Sequence, residues 1–599
     1  MKKWILRGCK ISAEEIAKIS AITGLPNSII QILAVRGFTN ADNIKDYLST
    51  SLDFLHHPGL LKDMDKAIDI LLDAIDNGIK IAVYGDYDAD GITATSILTI
   101  ALRRLGGDVL FYIPQRETEG YGLNDSAIRE LANQGVKVLL TCDNGISAVN
   151  QIAFAKKLGM TVIISDHHEI PFIKHDTKIQ YQVPVADAII NPKQLDCPYP
   201  FKALCGASIA YKIVEGLYIT IGEDWEEHYL EYLSLAVIAT VCDIMDLVDE
   251  NRVMVKFGLS VLQNTPNIGL KALIEVNGLK DKKLTTYHLG FVLGPCINAS
   301  GRLELADKAV NLFLETDSEK AKVLAEELIE LNNSRKFLTV EGVELVRANI
   351  EANDMAADKV IVVYEPNLHE NIAGIVAGRI KELYYRPTFI LSGDKPIVRG
   401  SGRSIEAYNM FEALTEVSNL LDIFGGHPMA AGLSVPKHNI DALRKALNEN
   451  CKLTQGDMVQ NKYIDLHMPL ERVNLAFANA VQKMEPFGKG NPMPLFGDKA
   501  LNVNRIQLLG NEENVLRIYF DAKNSKGMIP VILFRQKAAF KDMVKKIGNE
   551  RLWHSLVTES NNKLLLDIIY TVETANYNNN TYLQIQLKDF RPHINTANK

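Results

Sequence analysis

The stretch Ile81–Ser96, IAVYGDYDADGITATS, constrains this chain more than any other. Ile81, Ala82, Val83 and Tyr84 are a short apolar run of the kind that makes a strand buried on both faces. Gly85 closes it. Asp86, Asp88 and Asp90 follow at a spacing of two, then Gly91, and from Thr93 the pattern TATSILTIALRRLG has a helical period. A strand therefore ends in a tight loop of three carboxylates, and a helix leaves from that loop. Open parallel sheets place their chemistry there, outside the carboxyl ends of the strands. Three carboxylates this close repel one another. A solvent-exposed loop relieves the repulsion cheaply; a bound cation relieves it better, because its charge inverts the local pKa logic. Taken alone, the stretch leaves both readings open.

The chain around it narrows the choice. The pattern predicts strands at 81–85, 108–113, 137–141, 161–165 and 187–190. It predicts helices at 93–105, 124–134, 147–158, 204–218 and 226–241. Such alternation argues for a mostly parallel sheet with helices on both faces. The third strand runs into Cys142-Asp143-Asn144-Gly145, the fourth into Asp166-His167-His168, and the fifth into Asn191-Pro192. The helical run LAVIATVCDIMDLVD delivers Asp243. Each feature has an ordinary reading: a turn for Asp143-Asn144-Gly145, a helix-end residue for Asp243, a surface histidine. Together they point to one site, because parallel strands bring their ends to one edge. The glycine-rich segment QRETEGYGL (115–123) is read as its rim.

The residue types predict the ion. Carboxylate oxygens suit magnesium and manganese, and added imidazole moves the preference toward manganese. Cys142 and Cys242 sit beside proposed ligands, but no thiolate cluster favours zinc. Seven candidate side chains exceed the needs of one small ion and suit a pair bridged by a carboxylate. Such a pair activates a water and stabilises a leaving oxygen of a phosphoryl group, so the expected substrate is a phosphate ester or anhydride.

At 599 residues several domains are expected. A formal net charge of -8 disfavours an indiscriminate nucleic-acid coat and leaves room for a local basic groove. The seven cysteines are scattered and read as reduced thiols of a cytoplasmic protein. MKKWILRG lacks the apolar core of a secretory signal, and no run of eighteen apolar residues predicts a membrane span.

The reading is a multidomain α/β protein. Residues 1–75 form a helical cap on the domain that follows, 76–315 the catalytic domain, and 316–352 a connecting helix. Residues 353–450 form a smaller α/β domain, with strands at 360–363 and 387–391, a helix at 371–385, and glycine-rich loops at Arg399–Ser404 and Phe424–Gly432. Residues 451–599 turn to β periodicity in about five short strands, the signature of an OB-type barrel.

The motifs YGDYDADGITATSIL (84–98), TCDNGI (141–146), SDHHE (165–169) and AVIATVCDIMDL (236–247) resemble the DHH phosphoesterase superfamily. With FVLGPCINASGRLEL (291–305) and EPFGKGNPMPLF (485–496), the chain is similar to the RecJ family of bacterial single-strand-specific DNA exonucleases. The resemblance implies metal ligands Asp86, Asp88, Asp90, Asp143, His167 and Asp243, holding two Mn2+ or Mg2+ ions. It implies that His168 faces the phosphate and assists catalysis alongside Asp143 and Asp90. Arg302, together with Arg379, Ser401, Arg403 and His427 of a DHHA1 domain, would contact nucleic-acid phosphates. An OB domain would hold the strand, with Phe520, Tyr519, Arg517, Arg535 and Lys541 as candidate contacts. The implied activity is 5′→3′ digestion of single-stranded DNA to 5′-mononucleotides in DNA repair and recombination. The implied protein is a monomer with a single-stranded-DNA-binding protein and a helicase as partners.

Three positions depart from the family pattern. Tyr84 stands where other branches carry a ligating His, Cys296 where Arg is usual, and Leu368-His369 where Trp-His is usual. Two other readings compete. An oligonucleotide or cyclic-dinucleotide phosphodiesterase, or a pyrophosphatase, needs only the first two domains, and residues 452–599 argue against it. A catalytically inactive single-stranded-DNA-binding scaffold is opposed by the intact Asp88, Asp90, Asp143, His167, His168 and Asp243.

Overall fold

The computed structural model describes residues 2–116, 118–120, 122–175, 178–510, 513–523, 527–577 and 580–594. The chain divides into two compact units. The larger comprises Ser51–Val459 and Gly488–Gly490. Its first sheet has five parallel strands in the order Val109–Tyr112, Ile81–Tyr84, Val138–Cys142, Thr161–Ser165, Ala188–Ile190. The strand Ile81–Tyr84, second in that order, explains its own sequence. Ile81 and Val83 enter one hydrophobic core and Ala82 and Tyr84 the core on the opposite face. A sheet covered on both sides needs apolar residues at every position. The register pairs Tyr84 with Thr141 and Thr141 with Ile164, so the strand ends that carry the acidic and histidine residues lie along one edge.

Helices Ala89–Arg104, Gly206–Ile221 and Trp225–Cys242 pack together on one face. The helix Ser318–Ala352 leads to the second domain, and at 1.5 Å per residue it spans about 52 Å. Asp317 caps its start by accepting from the N–H groups of Glu319 and Lys320. The second sheet runs in the order Ile423–His427, Ala430–Pro436, Ile397–Arg403, Thr388–Ser392, Ile361–Tyr364. Two expected loops are therefore strands. Glycine at 400 and 402 serves close packing, not turning. A Cβ at Gly400 would come within 2.4 Å of the Leu391 side chain, and one at Gly402 within 2.6 Å of Met410 Sδ.

The smaller unit comprises Met1–Thr50, Gln460–Phe487 and Asn491–Lys599. Its long strands Phe496–Leu509, Val515–Asp521, Met528–Phe534, Asn580–Pro592 and Leu565–Tyr577 are neighbours in that order. Pairing of the first with the last closes them into a barrel. A helical segment the β periodicity concealed, Lys537–Thr558, broken by non-helical Gly548 and Asn549, lies between the third and fourth strands in sequence.

Residues up to Thr50 belong to the barrel's unit, whereas 51–75 belong to that of the catalytic domain: Ile29, Ile30 and Leu33 share a core with Phe496, Leu516 and Phe540 of the barrel. Strand Lys3–Leu6 also pairs in parallel with Asn461–Ile464. And Phe520, expected to stack on DNA, is fully buried in the barrel core. Tyr519 lies under the Arg505 guanidinium, 4.0 Å from its ring centre, and Lys541 pairs with Glu550 at 3.7 Å. Arg517 is half-buried and Arg535 exposed. All seven cysteines are free thiols. Among the described residues no single helix is long and apolar enough to cross a membrane.

Candidate active site

Two of the carboxylates at the sheet edge, Asp88 and Asp90, are held by backbone N–H groups. Asp88 caps the helix Ala89–Arg104, its Oδ1 accepting from the N–H groups of Asp90 at 2.9 Å and Gly91 at 3.1 Å. The N–H of Ala89 donates to Asn298 Oδ1 at 2.9 Å. Asp90 accepts on both oxygens, from Gly206 N–H and Ala207 N–H, each at 2.7 Å. These open the helix Gly206–Ile221, whose N-terminal end favours negative charge. Only glycine fits at 206: a Cβ there would lie 2.6 Å from Asp143 Cβ. Asp143 is in the left-handed region, φ 61°, a sparsely populated conformation that non-glycine residues adopt mainly under constraint. Asp243 ends the helix Trp225–Cys242.

His167 stands at the centre. Its Nε2 lies 3.0 Å from Asp143 Oδ1, 3.6 Å from Asp90 Oδ2 and 3.8 Å from Asp243 Oδ2. Burial pushes this imidazole below its ordinary pKa, which keeps it neutral and able to donate a lone pair. The buried atoms Asp86 Oδ1, Asp143 Oδ1 and His167 Nδ1 lack a hydrogen-bond partner of proper geometry. An orphaned buried carboxylate oxygen is costly. Burial, then the charges of neighbouring aspartates, raises Asp86, Asp88 and Asp143 above the usual carboxylate range, and Asp243 to about 8. Such a cluster is complementary to divalent cations. Its ligand atoms form the disjoint triads Asp86–Asp88–Asp143 and Asp90–His167–Asp243, each with all atoms within 4.8 Å of one another. Asp143 also groups with His167 and His168, which places it between the two sets.

The thiols are not part of this cluster. Burial raises Cys142 to about 12, and its Sγ lies 3.3 Å from Thr95 Oγ1; burial likewise raises Cys242. Tyr84 points away, its hydroxyl donating to the Gly122 carbonyl and accepting from Asn124.

Asp166 is not a ligand but a positioning group. Its Oδ1 accepts from His167 N–H, His168 N–H and the His168 ring Nδ1, the last at 2.8 Å, and its Oδ2 accepts from Ile146 N–H. Burial alone would raise it, yet His168 and these N–H groups hold it below the ordinary value. In return, Asp166, Asp243 and Asp90 outweigh the effect of burial and lift His168 to about 9, so its ring is cationic at neutral pH.

A second cluster is basic. Arg302 Nη1 donates to the Asn371 carbonyl at 3.0 Å, and Asn371 Nδ2 returns a bond to the Arg302 carbonyl at 2.8 Å. This clamp ties the catalytic domain to the second α/β domain. Burial, then Arg116, Arg335 and Arg403, lowers Arg302 to about 10; burial and Arg116 lower Arg403. None of these four arginines forms an ion pair with a described carboxylate, and a cluster of that kind calls for an anion. Gly374, in the first turn of the helix Ala373–Tyr384, makes room for it. A Cβ there would be 3.0 Å from Arg403 Nη2 and 3.4 Å from Ser401 Oγ. His427 is exposed and shares a register row with Ala430 and Arg403. Arg379 is largely exposed and paired with Glu382 at 3.5 Å, and its charge also acts on Arg335.

Sequence reasoning missed Arg116, Arg335, Asn298 and Gly206 as site residues. Arg116 lies in the segment read as the rim, and Asn298 inside a quoted motif. Arg335 sits in a helix whose composition reads only as a connector. Cys296 does not leave a gap: its Sγ donates to the Val292 carbonyl and accepts from Asn332, whose Oδ1 holds the Arg335 guanidinium through Nε and Nη2.

Comparison with known proteins fits this geometry. Residues 80–240 match the DHH family N-terminal domain, 357–453 the DHHA1 domain and 464–589 the RecJ OB domain. The chain is 31% identical over 510 residues to the single-stranded-DNA-specific exonuclease RecJ of Haemophilus influenzae, covering 81% of this chain and 86% of that one. It belongs to the RecJ family. The RecJ of Bacillus subtilis is 38% identical over 474 residues, covering 78% of this chain and 58% of its own length. The crystal structure of Thermus thermophilus RecJ in complex with Mn2+ superposes with a TM-score of 0.78 at 26% identity, covering 99% of this chain and 80% of that one.

Proposed function

We propose that this RecJ-family protein is a metal-dependent exonuclease that removes nucleotides from the 5′ end of single-stranded DNA and releases 5′-mononucleotides. One observation carries the reading. Two triads of candidate metal-ligating side chains and four guanidiniums that form no ion pair among the described residues occupy one compact unit, and they feel one another. Arg116 lowers Asp86, and Asp88 raises Arg302. Such a pairing suits a substrate with a scissile phosphate at one cluster and a further phosphate at the other.

Asp86, Asp88 and Asp143 would hold one Mn2+ or Mg2+ ion and Asp90, His167 and Asp243 a second, with Asp143 between them. When bound, the pair supplies an activated water and charge stabilisation for the leaving oxygen. The helix start at Gly206 and Ala207 fixes Asp90, and Asn298 fixes the acidic loop. His168, aimed by Asp166, offers an N–H to a phosphoryl oxygen. Arg403, with Ser401 beside it, grips the terminal 5′ phosphate, and that grip sets polarity.

End-labelled single strands, one label at each terminus, test the reading. The 5′ label is released first as a mononucleotide in manganese. Release of the 3′ label first defeats the polarity, and no release defeats the activity. A fully paired blunt duplex is a poor substrate next to one with a 5′ tail in the same salt; equal rates would remove the single-strand requirement.

A further inference from the structure

The segment that carries Arg302 begins with an aromatic pair the proposed function leaves unused. Thr286–Leu303 is continuous helix, with a π turn at Leu289–Leu293. Pro295 accounts for that turn: it has no N–H to give the Phe291 carbonyl four residues earlier, so the ladder slips by one. Turns of this kind occur often at functional sites. The slip leaves Tyr287 and Phe291 stacked on each other, ring centres 5.3 Å apart and planes at 23°. Both are open to solvent, 56% and 69% exposed. Two large stacked rings in water are costly to leave uncovered.

Their place is set at both ends of the helix. Near its start, Cys242 Sγ donates to the Leu289 carbonyl, and a Cβ on Gly294 would strike that sulfur at 2.2 Å. The helix therefore lies against the turn that delivers Asp243. Near its end, Asn298 holds the acidic loop, Gly301 packs on the Tyr87 carbonyl, and Arg302 enters the basic cluster. The next residue after Asp243 adds to the pattern. Ile244 is 65% exposed and in the left-handed region at φ 56°, where a β-branched residue is an outlier. An apolar residue is therefore held open beside a candidate metal ligand.

We propose that Tyr287 and Phe291 form a stacking platform for a nucleobase of the substrate strand beyond the scissile bond. The occupant follows from chemistry and continuity. Exposed rings accept bases of any sequence, and the platform lies on the same helix as the phosphate-binding Arg302. Phe291 is about 16 Å from Arg302 along that helix. At the roughly 3.4 Å spacing of a stacked strand this is about five nucleotides, and about three or four for an extended one. This rests on the nuclease reading for the direction of the strand.

The test places 2-aminopurine at each of the first six positions of a 5′-phosphorylated single strand and adds protein in chelator. Quenching is deepest at the third or fourth position. Tyr287→Ala with Phe291→Ala removes that maximum and weakens binding by about tenfold, the order of one lost base–aromatic stack. Tyr287→Leu with Phe291→Leu keeps apolar cover without rings and behaves like the alanine pair. The same profile in wild type and both variants would overturn the platform and leave the pair to a protein partner. Manganese added afterwards separates the two ideas: a strand that is quenched at the expected position yet stays intact fails the nuclease reading alone.

Discussion

The acidic cluster and the basic cluster are both frustrated groups of like charge, and they are built in opposite ways. The carboxylates come from the ends of adjacent parallel strands and one helix end, and two of them are fixed by backbone N–H groups. The guanidiniums come from a loop, a helix end, a connecting helix and a strand, so their assembly depends on the packing of two domains. The acidic cluster is close to a rigid property of one sheet. The basic cluster is a property of the domain arrangement. The first can be removed one side chain at a time with the fold intact; the second is sensitive to anything that shifts Arg302 against Asn371.

The largest effect is expected at the residue between the triads. Asp143→Ala lowers turnover in manganese by about 10³-fold or more, as loss of a group acting within a unit does. In chelator its unfolding midpoint does not fall, because the lost carboxylate was buried among like charges. Near-normal turnover would remove Asp143 from the site, and a collapsed apo fold would make it structural.

Arg403 tests the other cluster. A bidentate charge-assisted contact is worth about 1.5–3 kcal/mol, so Arg403→Ala lowers kcat/KM on a 5′-phosphorylated strand by about 10–100-fold. The same strand with a 5′ hydroxyl loses less. Arg403→Lys recovers part of the difference, since it restores charge without the fork. Equal losses on both strands would separate Arg403 from the terminal phosphate.

That contrast also explains what could be read from the sequence. Strand ends are local: Asp86, Asp143 and His167 follow their strands directly, so an alternating pattern sufficed to bring them to one edge. The same reasoning found the connecting helix. It failed where a partner had to be known. The apolar residues Ile29, Ile30 and Leu33 announce a buried face but not which core receives it, and they pack with the barrel. Gly400 and Gly402 signal close approach, which a loop and a tightly packed strand share. Phe520 alternates correctly for a strand, but alternation does not tell the core face from the binding face until the barrel closes. Arg116 and Arg335 have no local signal, because what marks them is the company of Arg302 and Arg403. The membership of the family was legible in full; the basic half of the site was legible only in part.

Ligands of opposite sign sharpen the comparison further. Mn2+ at 100 times its dissociation constant stabilises the folded protein by about 2.7 kcal/mol by mass action. Inorganic phosphate at the same concentration raises the midpoint less. Its effect fades with added sodium chloride, because the basic cluster is more open and a Debye length near 10 Å at 0.1 M screens it. A phosphate shift that matches that of manganese and ignores salt would mean the guanidiniums are as enclosed as the carboxylates.

The smallest effect is a gain, and its sign is the informative part. Asp243 has a carboxyl raised to about 8 in the metal-free protein, chiefly by burial and then by Asp90 and Asp88. A raised carboxyl means the folded state holds a proton that the unfolded chain has released. Stability in chelator therefore falls as pH rises from about 4, the ordinary aspartate value, to about 8, and levels off above that. Asp243→Asn removes this component. Its unfolding midpoint in chelator lies above that of the wild type at pH 8 and converges with it near pH 4. Manganese reverses the order at pH 8, because the wild type gains a ligand field that asparagine supplies poorly. Differential scanning calorimetry at the two pH values, with chelator and with manganese, gives all four midpoints. A variant less stable than wild type in chelator at pH 8 would show that Asp243 is held by favourable contacts, and the acidic cluster would then be no more strained than an ordinary helix end.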